Sequence, residues 1–198
     1  MYMENLKNRI QTCAKCPLYK TRNMSIFGEG NQKAKILLVG EAPGAEEDRV
    51  GRPFIGKSGQ LLEKILDASG FTRETHVFVS NIVRCRPPNN RVPSTLEIET
   101  CLPYLMEQID LINPQIIITL GATSLKKLLG NESYKISKVR GNWIKWNNRL
   151  VMPVYHPAAL LRNPHLKHET WEDFKKVIDK YRELVDPEHF SKHYQEKE

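Results

Sequence analysis

The chain has 198 residues, 40% of them hydrophobic, with a net charge of +7 and a pI near 9.2. That length fits one domain with a sizeable core. No run approaches the roughly eighteen apolar residues of a membrane span, and the start Met-Tyr-Met-Glu-Asn-Leu-Lys is not a signal peptide, so an intracellular, cytoplasmic protein is expected. The basic balance favours a polyanionic partner, although solvated lysine faces give the same charge.

In chain order, Leu6 and Ile10 share one face of a short helix over Glu4 to Gln11. Lys35 to Val39 is the first strand. Gly40-Glu41-Ala42-Pro43-Gly44 follows, then Ala45 to Val50, then Gly51-Arg52-Pro53-Phe54-Ile55-Gly56. Five glycines and two prolines between Gly40 and Gly59 specify a backbone shape suited to a pocket wall rather than a plain surface loop. A helix is expected from Ser58 to Ser69, with Gly70 as its stop. Val77 to Val83 is a second strand. The stretch from Arg84 to Pro93 is too proline-rich for regular structure. Ser94 and Glu97 form a capping box that opens a helix to about Ile112. Gln115 to Leu120 is continuously apolar, the mark of a strand covered on both faces. Gly121 turns into a helix that Gly130 ends. Val139 to Trp146 reads as an edge hairpin, and Leu150 to Tyr155 as a last strand shortened by Pro153. A long helix covers Glu169 to Leu184, and residues 187–198 read as a loose tail.

Strands alternating with helices give an α/β fold with a mostly parallel sheet covered on both faces. Three strands share one design, ending in Gly40-Glu41, Ser80-Asn81 and Tyr155-His156-Pro157. Carboxyl ends of parallel strands are where ligands bind, so Glu41, Asn81 and His156 are expected to meet in one crevice.

Two further patterns need weighing. Gly51 to Ser58 formally matches G-x-x-x-x-G-K-S, the phosphate-binding loop of a nucleotide hydrolase. That loop must follow a strand directly, whereas the strand here ends at Val39, and Pro53 removes a donor that phosphate needs. Cys13, Cys16, Cys85 and Cys101 include one Cys-x-x-Cys knuckle. Four thiolates can hold zinc or an iron–sulfur cluster. A single knuckle leans towards iron–sulfur, and four unrelated buried thiols is the remaining reading.

Together these residues resemble the family 4 uracil-DNA glycosylases, the thermostable iron–sulfur branch of their superfamily. Gly40-Glu41-Ala42-Pro43-Gly44 resembles the first motif and Gly51 to Gly56 its continuation. Ser80 to Arg91 resembles the second region, and His156-Pro157-Ala158-Ala159-Leu160-Leu161-Arg162-Asn163-Pro164 the last motif. The likeness runs from Cys13 to about Trp171. Ala158-Ala159 departs from it, standing where many relatives carry Ser and a bulkier residue. The resemblance implies a three-layer α/β/α fold around a four-stranded sheet, a [4Fe-4S] cluster on the four cysteines, and excision of uracil from single- and double-stranded DNA. A related branch bonds covalently to DNA through a histidine just after the second region; Pro87 to Pro93 holds none, which favours simple hydrolysis.

On that footing Phe54 stacks on a flipped base, or anchors the core. Asn81 matches the N3–H and O4 edge of uracil, or caps a turn. His156 donates to O2 as negative charge develops there, or is structural. Glu41 holds water or offsets the cationic sugar, or stabilises a turn, and backbone near Ala42 adds donors. Lys57, Arg86, Arg91 and Arg162 are candidate phosphate contacts, and Leu160 or Leu161 a wedge into the base stack. Glu46, Glu47 and Asp48 read as solvated acids unless one of the last two walls the pocket. Trp171 packs near the site or in the core. The other whole-protein reading is an iron–sulfur nucleic-acid binder that turns nothing over. A monomer is expected, and neither end shows a clamp-binding motif.

Overall fold

The computed structural model describes residues 2–195, with side chains through residue 193. Its centre is four parallel strands: β2 (Ile36–Gly40), β3 (Val77–Asn81), β4 (Ile116–Leu120) and β6 (Arg149–Val154). β1 (Glu29–Gly30) pairs antiparallel with β3, and β5 (Ile144–Trp146) antiparallel with β6. The sheet therefore has six strands in the order β1-β3-β2-β4-β6-β5. The expected four form its parallel core, and the two edges are too short to give a periodic signal.

Alternation along the strands builds the layers. Leu37, Phe78, Ile117 and Val151 share one row and face the first core cluster. There they meet Leu6 and Ile10 of α1 (Tyr2–Gln11), Leu105 and Ile109 of α4 (Thr95–Ile112), and Leu128 of α5 (Ala122–Leu129). Leu38, Val79, Ile118 and Met152 form the next row and face the other way. Leu62 and Leu66 of α3 (Lys57–Ala68) cover them, with Phe174, Val177 and Ile178 of α8 (Leu166–Leu184). Every residue of β2, β3 and β4 is buried, as strands covered on both faces require. The result is the expected three-layer α/β/α sandwich.

The structure corrects four local expectations. Pro153 does not shorten β6: its carbonyl takes the Gly141 N–H at 3.0 Å on the side where β5 has already ended. Its missing donor therefore removes no ladder bond. The hairpin is β5–β6, turned by Asn147 and Asn148 at φ 45° and 60°. Residues Ile136–Val139 are instead a helical turn, α6. The supposed tail docks: His189 is 3% exposed, stacks on Phe71 at 4.6 Å between ring centroids and meets the Ser69 carbonyl at 2.9 Å. A last turn, α9, spans Lys192–Gln195, and the remainder of the expected loose tail, residues 196–198, lies outside the described residues. Two further short helices, α2 (Ala45–Val50) and α7 (Pro157–Arg162), occupy segments read as loop.

Candidate active site

All four parallel strands end on the same edge. Gly40 pairs with Asn81 across β2 and β3, and Leu120 with Val154 across β4 and β6. Beyond the ladder, Ile82 and Val83 donate their N–H groups to the carbonyls of Gly40 and Glu41 at 2.9 and 3.1 Å. Chain crossing over this edge encloses a pocket of about 490 Å³. Glu41, Ala42, Phe54, Asn81 and His156 all line it.

Phe54 sits where few side chains do. Its φ is +52°, in the left-handed region, and its side chain is 6% exposed. Two clamps hold it there. Arg73, 8% exposed, donates from Nη1 to the Pro53 carbonyl at 2.9 Å and from Nη2 to the Phe54 carbonyl at 3.1 Å. Glu47 accepts from the N–H groups of Ile55 and Gly56 at 2.9 and 2.8 Å through one oxygen, and from Gly44 at 3.1 Å through the other. One carboxylate thus welds the Gly40–Gly44 loop to the Phe54 loop.

The glycines explain the close approach. A Cβ on Gly40 would stand 2.4 Å from Asn81 Oδ1 and 2.5 Å from Phe54 Cζ. A Cβ on Gly59 would lie 2.0 Å from the Phe54 backbone carbonyl. Gly59→Ala is therefore expected to displace the Phe54 loop and cost about 1–3 kcal/mol. Thermal unfolding checks this; a Tm equal to wild type would show that the loop yields freely.

Asn81 is 2% exposed, and its Oδ1 is buried without a hydrogen-bond partner. A buried acceptor left unmade costs about 1–3 kcal/mol, so a polar group that lacks a partner at a pocket wall points to a donor supplied from outside the fold. His156 caps α7: its Nδ1 accepts the Ala158 N–H at 3.1 Å. In the neutral ring the proton then sits on Nε2. Burial, and next the nearby Arg162, push the His156 pKa down to about 4, so the ring is neutral at physiological pH. Its ring lies 5.8 Å from that of Phe54, tilted by 33°. Gly121, at φ +93°, lets the β4 end pass His156, because a Cβ there would stand 3.0 Å from the His156 Cβ.

Other expected residues divide. Arg91 and Arg162 line the pocket, and Arg91 is held by a bidentate pair with Glu97 at 2.8 and 2.6 Å. Leu161 is 45% exposed, whereas Leu160 is 1% exposed and turned inward, which corrects its assignment as a DNA contact. Lys57 is exposed, and Arg86 is bound to Asn90 at 2.8 Å; neither lines the pocket. Glu46 is the solvated acid expected, paired with Arg49. Glu47 and Asp48 are not solvated: both are buried, and Asp48 accepts from the backbone of Asn23 and Met24 at 2.9 and 3.2 Å. Trp171 is half-buried against the α3–α8 core and is not a pocket residue. Ser58, Gly121, Ala122, Thr123 and Asn90 line the pocket without having been singled out. Gly121-Ala122 repeats the strand-then-glycine design of Gly40-Glu41, the signal that could have found it.

The phosphate-loop reading fails on geometry. Gly51 closes α2 rather than following a strand. The Ile55 and Gly56 N–H groups that would cradle phosphate are occupied by Glu47.

The four cysteines come from three segments and line one small cavity between α1 and α4. All are free thiols. Among the described residues no group of three or more His, Cys, Asp or Glu side chains is arranged to hold one metal ion. Arg22 Nη1 lies 3.0 Å from Cys85 Sγ, and the Arg84 N–H 3.3 Å from Cys101 Sγ. Burial raises the Cys101 thiol to about 11.

The profile of the uracil DNA glycosylase superfamily matches residues 27–176. A type-4 uracil-DNA glycosylase of Saccharolobus solfataricus is 47% identical over 186 residues, covering 88% of this chain and 86% of its own. One from Sulfurisphaera tokodaii is 46% identical, covering 88% and 83%. One from Thermotoga maritima is 45% identical, covering 88% and 92%. The chain belongs to the uracil-DNA glycosylase superfamily and, within it, to the type-4 uracil-DNA glycosylases.

Proposed function

We propose that this enzyme takes uracil out of the DNA stack, in single or double strands, and hydrolyses its N-glycosidic bond, leaving an abasic site. The observation that carries the reading is Asn81, a buried amide whose Oδ1 has no partner, which lines the strand-end pocket of about 490 Å³ together with a neutral imidazole.

A flipped uracil presents N3–H to Asn81 Oδ1 and O4 to its amide N–H. Cytosine presents an acceptor and an amine at those positions, so both contacts become unmatched and the base is rejected. Phe54 covers one face of the ring, an interaction worth about 1–3 kcal/mol. As the bond from C1′ to N1 breaks, its electron pair moves to the pyrimidine and negative charge grows on O2. His156 Nε2–H donates to that oxygen, and it needs no proton transfer to do so. Water adds to C1′; Glu41 orients it, takes up its proton and offsets the cationic sugar. Arg91 and Arg162 hold phosphates at the pocket rim, and Leu161 stands exposed for the gap left by the base.

Cys13, Cys16, Cys85 and Cys101 would hold a [4Fe-4S] cluster. Each iron of such a cluster takes one thiolate, so the four sulfurs need to surround the group rather than converge on one ion; what supports the reading is that all four cysteines line one small cavity. When bound it supplies structural bracing of the Arg84–Pro93 stretch, with no electron used in the reaction.

The test is uracil release from single- and double-stranded oligonucleotides without added magnesium, read by alkaline cleavage at the abasic site. Release from both is expected; no release from either overturns the activity. Purified protein should be brown, with visible absorbance that bleaches on reduction. A colourless, zinc-loaded protein would replace the cluster with a zinc site.

A further inference from the structure

Among the described residues Arg84 is the largest fully buried side chain, 2% exposed, and its hydrogen-bond partners include no carboxylate. Nη1 donates to the Phe27 carbonyl at 3.0 Å and to the Ser80 hydroxyl, and Nη2 to Gln108 Oε1 at 2.9 Å. Nε has no partner. A buried cation met only by neutral acceptors is several kcal/mol out of balance. The nearest source of negative charge is the cysteine pair beside it, Cys101 and Cys85. Arg84 lines the cysteine cavity together with Lys15 and Arg22, and no Asp or Glu lines it. Four cysteines and three cationic residues thus line one cavity, with the Arg84 backbone N–H on Cys101 Sγ and the Arg22 guanidinium on Cys85 Sγ. The cations point to an occupant that is negative overall, as four thiolates on a less positive core would be.

We propose that Arg84 and Arg22 are the counter-cations of the thiolate-bound group in this cavity; this rests on the iron–sulfur reading above. Their placement differs in kind. Arg22 reaches Cys85 Sγ from the half-exposed rim. Arg84 lies in the interior and spans from β3, at Ser80 next to Asn81, to α4, at Gln108 on the helix that carries Cys101. The charge of the bound group is thereby matched at the strand that carries the base-reading amide. With the group absent, Arg84 would be left as an uncompensated charge at that point.

The experiment uses whole protein purified anaerobically, as wild type, Arg84→Lys, Arg84→Met and Arg22→Gln. Iron per chain is measured first, then the first-order loss of visible absorbance in excess ferrous chelator. Removing a counter-charge should speed the loss about tenfold in Arg84→Met and severalfold in Arg22→Gln, while Arg84→Lys stays near wild type. Iron-loaded variants that bleach at the wild-type rate overturn the proposal and leave the cluster standing. Wild-type protein without iron overturns the cluster reading and the proposal with it. If Arg84→Met does not fold, Arg22→Gln decides alone, since its side chain lies at the rim.

Discussion

Asn81→Asp is expected to lower single-turnover uracil release by about 10²–10³-fold with the fold intact. The amide N–H that meets O4 becomes a carboxylate oxygen, so a donor–acceptor pair turns into two facing acceptors. The companion variant separates function from stability. In the free enzyme Oδ1 is buried and unpaired, so it adds nothing to the fold. Asn81→Leu removes that unmet acceptor with the same count and branching of side-chain heavy atoms and should keep Tm within about 3 °C of wild type while abolishing release. A Tm falling as steeply as the activity would make Asn81 a structural residue, and the base-reading role would go with it.

His156→Ala is expected to cost about 10²–10³-fold in rate, the usual size for one lost donor at a developing oxyanion. It also removes the cap of α7, worth about 1 kcal/mol. His156→Ser separates the two losses, because a hydroxyl restores the cap but supplies no ring donor; stability should return and rate should not. The pH dependence carries a second signature. With a folded pKa near 4 and an ordinary value of 6.5, the ring stays neutral through the physiological range. The rate should therefore show no loss assignable to His156 between pH 8 and 5. Stability behaves differently. Between pH 6.5 and 4 the unfolded chain binds a proton that the folded ring refuses, so the contribution of His156 is full above 6.5 and declines as pH falls towards 4. A rate that falls as pH rises through about 6.5, in a limb that disappears in His156→Ala, would mean that a charged imidazole does the work.

Several parts of this molecule are written locally in the chain. The capping box closes as read, with Ser94 N–H on Glu97 Oε2 at 2.7 Å and Glu97 N–H on Ser94 Oγ at 3.3 Å, because both partners lie within one helical turn. β2 and β4 were legible as continuous apolar runs, since a strand covered on both faces must be apolar throughout. α2 was not, because six residues between Gly44 and Gly51 carry too few apolar positions to show a period. Leu160 and Leu161 could not be told apart: adjacent residues on a helix point about 100° apart, and the packing of α7 against α3 sets which one turns inward.

Read alone, the chain announces which chemistry stands at each strand end. An apolar run stopped by Glu41, Asn81 or His156 is a short-range pattern, and parallel pairing carries such stops to one edge. Distance and electrical state belong to the folded molecule. Glu47 reads as a solvated acid or a pocket wall until the Gly44 and Ile55–Gly56 backbones close on it, and nothing local to Arg84 marks it as walled in between β3 and α4. Burial, hydrogen bonding and charge balance are set by atoms tens of residues away, and no local pattern encodes those neighbours.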